Sequence, residues 1–339
     1  MNFETIPIVA IALSIVISWS LYALFCSFLH EAIVQIKAER GRYMKKYLFK
    51  QLYDQPNGVN WASMLYMHGT VDLLTRKANK PTSDINPRIF AETLIEVVAR
   101  AQITQMARHQ MMQEEPGPKV RMQLSGQLNY EHELLNDFKA ATLLLQQSDV
   151  VNFFRQAMAS AELITADVQG SRDSAVYRNL VQQVEQWYSE MMSRLSLWYR
   201  KKTKRNLFFL GSLLAFILNV DSIQLLEHFT KDPAARRVMI QYYEANTAQL
   251  HRLSAMASTD STQVYAQRIK LLKSEMDSLA AAAQLPVGFR YNVFSAKSDN
   301  RNILMVLLGC LFSGFAASAG APFWFDLLKK AYSVKPGKN

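Results

Sequence analysis

The chain has 339 residues, with 38 Lys and Arg against 28 Asp and Glu, a net charge of +10, and only 2 cysteines. Both cysteines, Cys26 and Cys310, fall inside apolar runs, so a disulfide framework and CxxC redox chemistry are excluded. The surplus cations sit beside the same apolar runs, so the charge reads as membrane orientation and not as a nucleic-acid surface.

The first run, Ile6 to Leu29, exceeds the roughly 20 apolar residues that a helix needs to cross a bilayer. Its leading residues carry only Glu4, and Phe25 stands where a lipoprotein box needs a small residue before Cys26. The run therefore reads as a retained anchor, residues 1–29, and not as a cleaved signal.

Residues 30–205 read as a cytoplasmic helical domain. An amphipathic helix is predicted to continue from the first span through Asp54 and to stop at Gln55-Pro56-Asn57-Gly58. Helices follow over 61–77, 88–112, 131–147 and 149–168, with Ser83 or Asn86 as the cap of the second of these. From Arg172 to Leu226 there is no proline and Gly211 is the only glycine, so one helix of about 55 residues, about 80 Å long, is predicted to run into a second span at 206–226. Such a helix would carry force or position into the membrane without a flexible joint. Residues 227–302 read as an extracytoplasmic αα-hairpin of helices 233–258 and 261–284, turning at Ser258–Thr262 with Asp260 or Ser261 as a cap. A third span covers 303–321, and 322–339 is a cytoplasmic tail.

Flanking charge orients these spans. Lys37, Arg40, Arg42, Lys45 and Lys46 follow the first, Arg200, Lys201, Lys202, Lys204 and Arg205 precede the second, and Lys329, Lys330, Lys335 and Lys338 follow the third. The predicted chain has its N-terminus outside and its C-terminus in the cytoplasm. The fold class is all-α.

Polar residues in spans are functional suspects. Asn219 and Asp221 form a candidate intramembrane polar site near the outer end of the second span. Gly211 and Ala215 in that span, and Gly309, Ser313, Gly314 and Ala317 in the third, make small-xxx-small stripes that let helix backbones approach. Pro322, Phe323, Trp324, Phe325, Lys329 and Lys330 read as an interfacial anchor, aromatics followed by lysines at the headgroup layer. The six histidines have no metal-ligand spacing, and Walker A, dinucleotide-binding and nucleophile-elbow motifs are absent. No enzyme, cofactor or metal is expected.

Three stretches carry a resemblance. They are Leu65-Tyr66-Met67-His68 with the Pro81 to Pro87 loop and Phe90-Ala91, then Trp198 to Thr203 leading into Leu218-Asn219-Val220-Asp221, and Gly320-Ala321-Pro322-Phe323-Trp324-Phe325-Asp326-Leu327-Leu328. In these the chain resembles a largely uncharacterised family of bacterial three-span inner-membrane proteins. That family often has proline after the histidine, where this chain has Gly69. The resemblance implies three spans and a cytoplasmic helical domain, and no activity.

Two functional expectations follow. One is a non-enzymatic inner-membrane anchor or scaffold holding a cytosolic or envelope assembly at the bilayer, with a homo-oligomer or an assembly component as partner. The other is an oligomeric ion channel or membrane-disrupting effector with a cytoplasmic sensing domain, suggested by the small-residue stripes, Ser14, Ser18, Asn219 and Asp221.

Overall fold

A computed structural model describes residues 6–74, 80–101, 126–165, 172–255, 262–287 and 303–333. Among them the chain is all-helical apart from one two-residue β-hairpin. It divides into two compact units, Met1–Lys37 with Trp198–Asn339, and Ala38–Leu197 inserted between them.

The chain enters through α1 (Pro7–Ile36), with Pro7 in the first turn, where its missing N–H costs no bond. The helix predicted to run on to Asp54 stops here instead. Ala38 takes a left-handed conformation (φ 47°), and α2 (Glu39–Gln51) starts anew. No proline or glycine marks this break. The packing of α2 imposes a constraint of its own, because Gly41 lies against the backbone of Pro81 and Thr82 with no room for a Cβ.

In the inserted unit the predicted turn at 55–58 joins β1 (Tyr53–Asp54) to β2 (Val59–Asn60), with Gly58 at φ 64°. The helix expected over 61–77 is shorter: α3 (Trp61–Met67) ends at His68 and a single turn, α4 (Gly69–Asp72), follows. Asn86 caps α5 (Pro87–Arg100) by accepting from the Arg88 and Ile89 amides, while the expected continuation to residue 112 lies outside the described residues. Next come α6 (Gly126–Leu144) and α7 (Asp149–Ile164), the latter capped by Ser148. The first half of α8 (Arg172–Leu218) completes the unit. Its core is aromatic: Phe90 stacks on Tyr188 with ring centroids 4.0 Å apart, and Phe153 lies 4.5 Å from Trp187.

A polar clamp ties the hairpin turn to the segment that follows α6. Asn57 exchanges two hydrogen bonds with the Gln146 backbone, each 2.9 Å, and donates to the buried Asp54 carboxylate. Trp61 Nε1 donates to the same carboxylate at 3.1 Å. Arg155 meets the Thr142 and Leu145 carbonyls, which α6 leaves open at its C-terminus.

The discontinuous unit is built around α1. The second half of α8 leads to α9 (Ser222–Lys231), α10 (Pro233–Ala255) and α11 (Thr262–Ala282), then α12 (Ile303–Ala319) and α13 (Ala321–Ser333). α1 packs against α9, α10, α11, α12 and α13, which accounts for its being apolar on every side. α10 and α11, expected as an extracytoplasmic αα-hairpin, bury Tyr243, Leu250, Tyr265, Leu272 and Leu279 in the core around α1, with Tyr265 against Phe28. The cap expected at Asp260 or Ser261 lies outside the described residues.

The unit has two unlike surfaces. α10 and α11 expose Arg237, Glu244, Arg252, Lys270, Lys273 and Asp277. α8 and α12 expose Phe209, Leu213, Phe216, Leu307, Leu311, Phe312 and Phe315. Among the described residues only α1 is by itself long and apolar enough to cross a membrane. α8 with α9, bent by 57°, and α12 with α13, bent by 86°, qualify only as pairs. The predicted second span at 206–226 is therefore broken at 219–221. The third ends at Ala319, and the predicted tail begins as a helix.

Candidate functional site

The break between α8 and α9 is where polar groups collect. α8 ends in a Schellman turn: Asn219 is left-handed at φ 52°, and the Val220 amide donates back to the Ala215 carbonyl at 2.8 Å. Two residues later Asp221 caps α9, its Oδ1 accepting from the Ile223 and Gln224 amides at 2.8 and 3.2 Å. An αL-tolerant Asn followed at the second position by a capping Asp is a stop-and-start signal. Inside an apolar run it breaks the helix and bends the chain by 57°.

α12 is shaped to this bend. Gly309 faces the Asp221 carboxylate so closely that any Cβ there would overlap it, and Asp221 is only 2% exposed. Four residues on, Ser313 Oγ donates to the Val220 carbonyl at 2.6 Å. That fixes the one Ser313 hydrogen, so the Ser222 hydroxyl, 2.7 Å away, donates to Ser313. Ser222 in turn accepts from Trp19 Nε1 of α1 at 2.9 Å. The result is a directed chain, Trp19 to Ser222 to Ser313 to the Val220 carbonyl, joining α1, α9 and α12. Such chains reinforce one another where the surroundings are apolar.

Further along the same contact α8 and α12 meet through small residues. A Cβ at Gly211 would stand 2.6 Å from the Ala317 Cβ, and one at Gly314 would meet Ser212 and the Phe208 carbonyl. Ala215 is fully buried, and Tyr22 donates to the Gly211 carbonyl from α1. The structure thus brings together two sets of residues that the sequence kept apart, the small stripes and the polar pair. The stripe supplies the space at Gly309 and the Asp221 carboxylate fills it.

The C-terminal set is divided. Phe323, Lys329 and Lys330 are exposed, as is Pro322. Trp324 and Phe325 are buried instead: Trp324 packs 5.0 Å from Trp19 and donates to the Ala316 carbonyl, and Phe325 lies 5.5 Å from His251. The residues the sequence did not flag are Trp19, Tyr22 and Ser222. An indole N–H inside an apolar run needs an acceptor, which is the signal Trp19 offered.

Chemically the site reads as a lock. Asp221 accepts from two amides at the N-terminus of α9, which holds its side chain in place. Among the described residues no group of His, Cys, Asp and Glu is placed to hold a metal.

The inserted unit carries a cleft of about 810 Å³ lined by Arg88, Glu92, Tyr130, Tyr177, Arg178 and Glu185 among others. Its charges are of both signs, and Arg88 pairs with Glu92 at 2.8 Å. Burial, then the charge of Glu92, push the Tyr177 phenol up to about 12. A neutral acid with a raised folded pKa stabilises fully below its unfolded value, about 10 for tyrosine, and that stabilisation is lost as pH rises to the folded value. The melting temperature is therefore expected to fall between pH 10 and about 12, and less steeply in Tyr177→Phe. Equal slopes for the two proteins would remove Tyr177 from this account.

Comparison of the chain with models of protein families, with curated proteins and with solved structures finds no match.

Proposed function

We propose that the protein is a non-enzymatic membrane anchor or scaffold of the bacterial inner membrane, which holds a cytosolic or envelope assembly at the bilayer through its inserted helical unit. The observation that carries this reading is the exposed apolar face of α8 and α12, formed by Phe209, Leu213, Phe216, Leu307, Leu311 and Phe315. An apolar surface of this extent calls for lipid or protein. On this reading α1 and the two bent pairs are the three spans, consistent with the family resemblance of the Trp198 to Asp221 and Gly320 to Leu328 stretches. The orientation puts the N-terminus outside and the inserted unit in the cytoplasm, as the flanking cations direct.

The closed geometry at Asp221 favours the anchor over a pore, since a capping carboxylate seated on Gly309 is not presented to a passing ion. The charged outer faces of α10 and α11, packed on α1, favour a second reading in which several copies gather these faces around water. Two measurements decide. The protein is expected to stay with membranes through alkaline carbonate extraction, and proteoliposomes containing it are expected to hold an ion gradient as well as empty vesicles do. Release into the carbonate supernatant would sink the membrane reading. Ion flux that rises with the protein-to-lipid ratio and is abolished by Asp221→Ala would replace the scaffold with the channel.

A further inference from the structure

We infer that α8 carries a collar selective for anionic phospholipid headgroups at 198–209, an inference that rests on the membrane reading above. Trp198, Lys201, Arg205, Phe209 and Phe216 share one face of α8, at helical spacings of three, four, four and seven, and all five are exposed. Along that face the surface changes from cationic to apolar within the single turn from Arg205 to Phe209. Arg200 and Lys204 flank it, so four exposed cations occupy about 8 Å of helix. None of the four has an ion-pair partner among the described residues, and the sequence has no acidic residue between Glu190 and Asp221.

This charge needs a counter-charge, and the neighbouring surface says which kind. An acidic protein segment would match the cations and leave Phe209, Leu213 and Phe216 uncovered. An anionic lipid matches both halves, its phosphate on Lys201 and Arg205 and its acyl chains on the phenylalanines one to three turns further on. Arginine adds bidentate phosphate geometry, and exposed Trp198 suits the headgroup layer. A zwitterionic lipid offers the same phosphate without net charge, so the collar discriminates on charge.

The test uses the full chain in vesicles of phosphatidylglycerol and phosphatidylcholine, with brominated acyl chains on one lipid or the other. Quenching of tryptophan fluorescence reports which lipid occupies the protein boundary. Wild type is expected to prefer phosphatidylglycerol by about fivefold or more, the effect of one cation at an anionic surface. That preference is expected to shrink several-fold from low to high salt. Replacing Arg200, Lys201, Lys204 and Arg205 together by Gln is expected to abolish it, whereas Lys201→Arg with Arg205→Lys retains it. Equal quenching by both lipids in wild type overturns the inference, leaves the membrane reading standing and assigns the cations to an acidic protein. Failure of wild type to enter either vesicle overturns the membrane reading itself. If the four-fold variant does not incorporate, wild type decides: a preference that ignores salt overturns the collar.

Discussion

Gly309→Ala is expected to destabilise the discontinuous unit by roughly 2–4 kcal/mol, the sum of overpacking a tight contact and disturbing a helix cap. The added methyl has nowhere to go, because the space it needs holds the Asp221 carboxylate. If the carboxylate moves, the Ile223 and Gln224 amides lose their acceptor, and a movement that carries Val220 along weakens its bond to Ser313. The diagnostic is a double-mutant cycle of thermal unfolding in detergent. Asp221→Ala alone loses the cap, about 0.5–2 kcal/mol. Combined with Gly309→Ala it should cost far less than the two single changes added, since removing the carboxylate makes room for the methyl. Additive losses would mean that Gly309 and Asp221 do not touch. A wild-type-like Gly309→Ala protein would remove the lock altogether.

The second large effect belongs to Trp61 in the inserted unit. Its indole is fully buried, meets Phe154 edge-on at 6.0 Å and donates to Asp54, itself fully buried. Trp61→Ala is expected to cost about 3–5 kcal/mol through the cavity it leaves. The more informative change is Trp61→Phe, which keeps most of the ring and removes the donor. It leaves the Asp54 carboxylate to Asn57, at an expected cost of about 1–3 kcal/mol. Adding Asp54→Asn should recover part of that loss, because a neutral amide tolerates a missing donor better than a buried charge does. Urea unfolding monitored by circular dichroism measures all three. A Trp61→Phe midpoint equal to wild type would show that the indole hydrogen bond carries no weight.

Local chemistry was the legible part of this molecule. Residues 55–58 turn where proline, asparagine and glycine say they must, and Asn86 caps the helix it precedes. The long run without proline does become one helix of 47 residues, but it stops at Leu218 because Asn219 and Asp221 act as a terminator and a cap inside an apolar stretch. Hydropathy alone reads through such a signal, since two polar residues barely lower the average. The break at Ala38 had no residue to announce it, and the constraint visible there is the fit of Gly41 to the Pro81 backbone. At the candidate site the sequence offered Asp221 and Gly309 as separate suspects. Their pairing depends on α9 and α12 meeting, as does the role of Ser222. Trp324 and Phe325 looked interfacial by composition, yet the 86° bend at Gly320 turns both into the core.

The hydrogen bond from Trp19 to Ser222 spans 203 positions of chain, because a whole compact unit is inserted between its two ends. A ribosome adding about 5–20 residues per second therefore finishes α1 some 10–40 s before its partner at Ser222 exists, and α12 comes later still. During that interval the inserted unit can complete its own core, while the long apolar helix α1 waits without the helices that will enclose it. For this chain the order of synthesis is opposite to the order of burial, and on the proposed membrane reading the bilayer shelters α1 in the meantime.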